Sequence, residues 1–446
     1  MSIIILITIL CALLYFTYKV NGQEIFCPSS LLLLAYLLAL VCCFFYQDAW
    51  ELQLSIETIL VILSVAFITV ISDGVARRIF NKRAKYAQKR AAALEERSFF
   101  NIGAGGLAFF MIVAGAALLL TLRRLMADAQ LITMLTQVIG ESRAATYSTT
   151  KGGDIFSMIA SQLQKIVNVV AVLFTYLLLQ NIVLRRKKKN FAYAVIVALC
   201  IFTSLLSGAR STLLKTFLTG LAIYYFLTLK YIQRSMSRVS EKFVRKMLIA
   251  IPIVLVLFWA LRLFMGRNTR LDSWNFMEYI SFYIGGGIAS LNDYFANPVR
   301  VDKMFGEETF AAIYSFLGKF ISDIDVTRHL EFRRIGTING NVYTAIRRYH
   351  NDFGLIGILL LQMLFSGIYS VAYYKTKKNA FIDTKKQQFS VMLYCFLYFP
   401  IVYHPIDDQL YSNVFSTTML LNILMLWVCW KMFIREERVS LNRRRH

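Results

Sequence analysis

The sequence predicts an all-α polytopic membrane protein with about 11 transmembrane helices and a large, mostly helical outer loop between helices 8 and 9. Composition is the first ground for this. The chain is 57% hydrophobic and 17% charged, whereas a soluble domain has roughly 45–50% and about 25%, and no water-soluble core could hide so much apolar surface. The placement of charge is the second. Five hydrophilic stretches, 75–97, 184–190, 230–246, 375–386 and 435–446, hold 29 Lys/Arg against six Asp/Glu and so carry the whole formal excess of +23. Everything else sums to zero. The third is that these stretches alternate with long apolar runs, the pattern that the positive-inside rule produces. The basic balance therefore points to a cytoplasmic membrane face and away from nucleic acid.

A span needs about 20 apolar residues, and eleven runs meet that need: 2–19, 29–46, 54–73, 102–122, 162–183, 191–208, 211–229, 247–265, 354–374, 389–405 and 412–432. The first has no basic residues before it and no small-residue cleavage site after it, so it reads as a retained helix rather than a signal peptide. Placing all five basic stretches inside puts the N-terminus outside and the C-terminus inside. The 20–28 connection adds little charge beyond Lys19 at its edge, and the acidic segment Asp48-Ala49-Trp50-Glu51 fits an outer turn. Between the fourth and fifth helices, Leu125, Leu131, Ile132, Leu135 and Ile139 recur at near-helical spacing, which predicts an amphipathic interfacial segment over 123–161; a plain linker is the alternative. Three regions result: 1–265 with the first eight helices, an extracytoplasmic loop over 266–353, and 354–446 with the last three helices and a basic cytoplasmic tail.

The outer loop carries ten Lys/Arg and nine Asp/Glu up to His350 and is rich in aromatics, unlike a disordered tail, so a folded loop over the membrane is expected. The seven cysteines lie in or beside apolar runs, which predicts neither a disulfide framework nor a metal cluster. No repeat or matched pair of broken helices marks an inverted-repeat transporter. Glu57, Lys165, Arg210, Lys215 and Arg262 fall in the outer thirds of their runs or beyond, whereas ion-coupled pumps use carboxylates near the midplane.

Four segments could carry chemistry. In Ser207-Gly208-Ala209-Arg210-Ser211-Thr212, a tight outer turn opens the seventh helix, with Lys215 one turn on. Helix-opening amides, Arg210 and Lys215 could hold a diphosphate, or both side chains could snorkel to headgroups. Arg262 sits one turn inside the boundary of the eighth helix, where an arginine is costly unless it faces a cavity or an anion. The segment from Tyr279 to Tyr294 contains Gly285-Gly286-Gly287. Consecutive glycines without a preceding strand do not make a nucleotide fingerprint, so this Gly-rich turn reads as close helix packing or as a surface approached by sugar or lipid. The richest cluster runs from Arg333 through Gly340-Asn341-Val342-Tyr343-Thr344 to Arg347-Arg348-Tyr349-His350-Asn351-Asp352-Phe353-Gly354. Asn341 and Thr344 are candidate caps for a short helix ending near His350. Arg347 and Arg348 supply positive charge, and His350 and Asp352 are candidate general bases. Finally, Tyr403-His404-Pro405-Ile406-Asp407-Asp408 is a short turn, read first as solvated and acidic and second as a sugar or cation site. No metal-ligand spacing appears.

With these residues in view, the chain resembles the bacterial O-antigen polymerase family over about 190–430. The resemblance rests on Ser207-Gly208-Ala209-Arg210-Ser211, on Tyr283 to Tyr294, and on Gly340 to Thr344 continuing to Gly354. It implies a glycosyltransferase of the bacterial inner membrane that uses no nucleotide sugar, cofactor or metal. Its donor would be an undecaprenyl-diphosphate-linked oligosaccharide, its acceptor a lipid-linked repeat unit, and its surroundings membrane lipids and a chain-length regulator protein. The family's functional outer-loop arginines map to Arg210 and the Arg347/Arg348 pair. The family's spacing of ten residues from Arg to Gly is nine here, Arg210 to Gly220. The site expected on these grounds has Arg348, His350 and Asp352 as catalytic residues and Arg210, Lys215, Arg262 and Arg347 on the diphosphate. Asp293 is a reserve base. A lipid-linked glycan ligase and a polysaccharide flippase or exporter are the alternatives.

Overall fold

Long apolar runs satisfy their backbone hydrogen bonds internally by becoming helices, and helices dominate the computed structural model. It describes residues 2–92, 96–127, 155–207, 210–232, 236–260, 276–298, 304–318, 320–321, 330–336 and 338–440. In chain order the helices are α1 (Ser2–Val20), α2 (Pro28–Phe45), α3 (Ile56–Ala92), α4 (Ala104–Ala127), α5 (Ile155–Val183), α6 (Asn190–Leu206), α7 (Arg210–Ile232), α8 (Met236–Ala260), α9 (Phe276–Ala296), α10 (Ala311–Leu317), α11 (Ala345–Ala380), α12 (Lys385–Leu397), α13 (Pro400–Tyr403) and α14 (Thr417–Phe433). Among the described residues seven helices are long and apolar enough to cross a membrane: α1 to α5, α7 and α11. They coincide with seven of the eleven expected runs. The shorter apolar helices α6 and α14 match the sixth and eleventh. The interfacial segment expected over 123–161 falls, for residues 128–154, outside the described residues.

Several expectations need revision. The third helix does not stop near residue 73 but runs to Ala92, about 55 Å at 1.5 Å per residue, well beyond a hydrocarbon core of about 30 Å. Its basic continuation is rich in Ala, Lys and Arg, good helix formers that carry the helix on. The tenth run is split between α12 and α13 at Phe399-Pro400, because Pro cannot continue a helix. Two small antiparallel sheets also occur, which an all-helical reading did not foresee. One pairs β1 (Glu96–Ile102) with β4 (Ile434–Ser440), and the other is the hairpin of β2 (Arg333–Ile335) and β3 (Ile338–Gly340).

The bundle has two chemically distinct ends. At one, the β1–β4 sheet gathers the basic stretches around buried carboxylates. Arg97 donates to Asp383 at 2.8 Å, and Lys230 lies 3.2 Å from the same carboxylate. Glu24, in the α1–α2 connection, accepts from Tyr225 at 2.8 Å, from Lys377 at 2.6 Å, and from Tyr373. These bonds join the α1–α2 turn to the ends of α7 and α11.

The other end holds the loop expected over 266–353, which is more than a cover. The Gly-rich segment is no turn: α9 is a continuous helix with twelve buried residues, docked against α2. A Cβ on Gly285 would lie 2.8 Å from the Ala39 carbonyl oxygen, and one on Gly287 would lie 2.3 Å from that of Pro405. Only glycine lets the backbones approach this closely, which realises the close-packing reading. At its far end Asn292 accepts from the Ser55 amide at 2.7 Å and from the Thr58 hydroxyl at 3.0 Å, tying α9 to the first turn of α3.

Candidate functional site

The polar face of the loop end is built on the first turns of α11. Thr344 stands at the N-cap position in an extended conformation, as its sequence position suggests, although its hydroxyl makes no cap bond. The helix continues to Ala380 but is interrupted at Gly354, whose φ of +65° and ψ of −159° are open to glycine alone. A short amphipathic segment, 345–353, is thereby set at an angle on a long apolar helix.

Consecutive helical residues point about 100° apart, so Arg347 and Arg348 enter different surroundings. Arg347 is fully buried and pairs with Glu308 and, at 2.5 Å, with Glu331. The Tyr294 and Tyr343 rings stand 5.1 and 5.2 Å from its guanidinium carbon. This corrects the expectation that Arg347 faces a diphosphate: its fork is already filled by two carboxylates. Asp352 is likewise engaged, accepting from the backbone N–H of Thr309 at 2.6 Å and of Glu308 at 3.4 Å. Arg348 adds a bond from Nη1 to the Glu308 carbonyl oxygen at 3.2 Å. Three of the expected site residues thus clamp the Glu307-Glu308-Thr309 turn onto α11, and Glu308 is the residue that sequence reasoning missed. The signal was present in two adjacent carboxylates and two adjacent arginines within a nearly neutral loop.

His350 belongs to the same packed shell. Its Nδ1 lies 3.1 Å from the Tyr294 hydroxyl, and the Phe295 ring packs edge-on against it. Asp293, the reserve base, pairs with Arg333 at 2.7 Å. His404 and Asp408 are buried as well, which overturns the solvated reading of their turn. His404 bonds Tyr36 and Gln362, each at 2.8 Å. Asp408 accepts from the backbone N–H groups of Leu410, Tyr411 and Ser412 and from the Tyr349 hydroxyl. Burial raises its carboxyl to about 7, and the bonds organise the π-helical turn Leu410–Val414.

What remains open is a cavity of about 450 Å³ beside this shell, within the range of small-molecule sites. The first turns of α7 contribute Ser211 and Lys215, α9 contributes Tyr283, and the strand-to-helix link contributes Asn341, Val342 and Tyr343. Arg348 comes from α11, and Tyr403, Asp407, Gln409 and Asn413 come from the turns after α13. Lys215 Nζ sits 4.6 Å from the Phe399 ring centroid. Arg348 Nη2 meets Asp407 Oδ1 at 3.3 Å, with Gln409 donating to the other oxygen at 2.7 Å. Asp407 side chain is 35% exposed; among the described residues lining the cavity it is the one carboxylate.

The structure therefore brings Lys215 and Arg348 together at one cavity, whose lining does not include Arg347, His350 or Asp352. Arg210 begins α7, but its side chain lies outside the described residues, as does Arg262 altogether. Among the described residues no group of three or more metal-ligating side chains is present. Compared with protein-family models, curated proteins and solved structures, the chain matches none.

Proposed function

We propose that this protein is a glycosyltransferase that polymerises polyprenyl-diphosphate-linked oligosaccharide repeat units into O-antigen or capsular polysaccharide. It would sit in the bacterial inner membrane with eleven crossings, its N-terminus outside and its C-terminus inside. One observation carries the reading: Lys215, Arg348 and Asp407, from three distant segments, converge with tyrosines and amides on one cavity away from the basic β1–β4 end. Two cations suit a diphosphate, and Tyr, Asn and Gln side chains suit sugar hydroxyls. The adjoining apolar helices suit a polyprenyl tail.

The donor's diphosphate lies between Lys215 and Arg348, with Arg210, five residues before Lys215 in the sequence, as a further cation. An acceptor hydroxyl attacks the anomeric carbon. As the new C–O bond forms, the bond to the diphosphate oxygen breaks and its electron pair leaves with the diphosphate. The hydroxyl proton passes to Asp407, which takes the part expected of His350 or Asp352 because it is the carboxylate on the cavity wall. Cations fixed at the leaving group stabilise charge that develops only in the transition state.

The test is reconstitution of the purified chain with undecaprenyl-diphosphate-linked oligosaccharide extracted from its source cells. A ladder of longer lipid-linked products is expected. Transfer to a non-glycan lipid acceptor instead would identify a ligase with the same leaving group, and movement of unaltered substrate across liposomes would identify an exporter.

A further inference from the structure

A second concavity lies at the opposite, basic end, between α1 and α3, with a volume of about 690 Å³. Its walls change character along the axis of α3. Toward the middle of the bundle it is apolar, formed by Phe16, Val70 and Ile71; one to four turns further on, Arg77, Arg78, Lys82 and Lys85 line it. These α3 residues recur every three or four positions and therefore form one continuous stripe. An apolar trough that ends in four cations has the polarity of a lipid, with chains against one part and phosphate against the other.

The basic end is also organised before anything binds. Arg77 donates to Asn21 Oδ1 at 3.2 Å, Asn21 donates in turn to the buried Asp73 at 3.2 Å, and Ser29 holds the same Asp73 oxygen at 2.5 Å. A side chain fixed in this way differs from one that snorkels freely. Gly74 leaves the floor open, with nothing within 4 Å of where its Cβ would stand. Asn81, on the groove, has a buried carboxamide oxygen with no hydrogen-bond partner among the described residues, an acceptor waiting for a donor.

We infer that this groove is a binding site for an anionic glycerophospholipid whose headgroup carries hydroxyls, such as phosphatidylglycerol. The phosphate meets Arg77, Arg78, Lys82 and Lys85, a headgroup hydroxyl donates to Asn81, and an acyl chain lies along Phe16 and Ile71. Charge complementarity favours this occupant, since basic segments at a membrane surface attract anionic lipid, whereas a free phosphate would leave the apolar half bare. The inference stands independently of the proposed enzyme activity.

The test is native mass spectrometry of the full chain in detergent, titrated with phosphatidylglycerol or with phosphatidylcholine of the same acyl composition. Retention of phosphatidylglycerol at least about tenfold better is expected, and the double variant Arg78→Ala/Lys82→Ala should bind it about thirtyfold more weakly. Both side chains are exposed, so the variant should melt with the wild type. Equal retention of the two lipids by the wild type would overturn the inference. So would a double variant that binds phosphatidylglycerol undiminished, or displacement of the lipid by millimolar inorganic phosphate, which would assign the groove to a free anion.

Discussion

Replacing Arg347 by Ala should unfasten the outer loop rather than weaken substrate binding. Arg347 and Glu308 have side-chain exposures of 0% and 1%, so the substitution strands a carboxylate out of water. Removing one partner of a buried pair costs about 3–5 kcal/mol, and the loss of contact with Tyr294 and Tyr343 adds to it. If the cost falls on local opening of the loop, its open population rises about a hundredfold or more, and limited proteolysis between residues 297 and 344 should accelerate accordingly. Arg347→Lys should rescue little, since one ammonium cannot reproduce a fork shared between two carboxylates. The double variant Arg347→Met/Glu308→Gln should regain much of the loss, because the stranded charge is gone. Proteolysis and melting in detergent are the assays. Wild-type values for both in Arg347→Ala, combined with abolished polymerisation, would refute the structural role and return Arg347 to the substrate.

On the cavity, Arg348→Ala and Lys215→Ala should each lower the rate of lipid-linked polymerisation about 100- to 1000-fold, the measured cost of losing one preorganised donor. Loop proteolysis should rise less in Arg348→Ala than in Arg347→Ala, because one hydrogen bond to the Glu308 carbonyl is lost while Asp407 keeps access to water; wild-type polymerisation rates in both cavity variants would remove the diphosphate assignment. Gly287→Ala drives a Cβ to 2.3 Å from the Pro405 carbonyl oxygen, an overpacking that should cost about 1–3 kcal/mol and appear as a lower melting temperature. Asp408 supplies a pH dependence. Burial raises its carboxyl from 3.8 to about 7, so the folded state binds the proton more tightly than the unfolded one. The resulting stabilisation is complete below about pH 4 and is lost as pH rises through about 7. Melting followed from pH 4 to 8 should fall less steeply in Asp408→Asn than in the wild type, and parallel curves would contradict the assignment.

Much of the helical scaffold could be read from local pattern. Span lengths follow from apolar runs, and the break at Gly354 and the cap position of Thr344 follow from residues whose backbone preferences are intrinsic. The extension of α3 was legible in principle, since its basic segment is made of helix formers, but positive charge masked it as a loop. The α9 glycines were ambiguous for a related reason: the same three residues suit a turn or a close helix contact, and the contact requires knowing that Ala39 and Pro405 lie opposite. The cavity was harder still, because its residues come from Ser211 to Asn413 and no single segment contains two of its charged groups.

By itself, then, the sequence determined that the chain forms apolar helices with its charge segregated between them, because hydrophobicity and backbone propensity act within a few residues of where they are written. It also determined which cationic side chains could serve the proposed site. Tertiary structure decided which of them line the cavity. Arg347 and Arg348 are indistinguishable as letters, but a helix turns about 100° between them, so the docking of the 304–310 turn gives Arg347 to the Glu308 carboxylate while Arg348, bonded to the Glu308 carbonyl and paired with Asp407, lines the cavity.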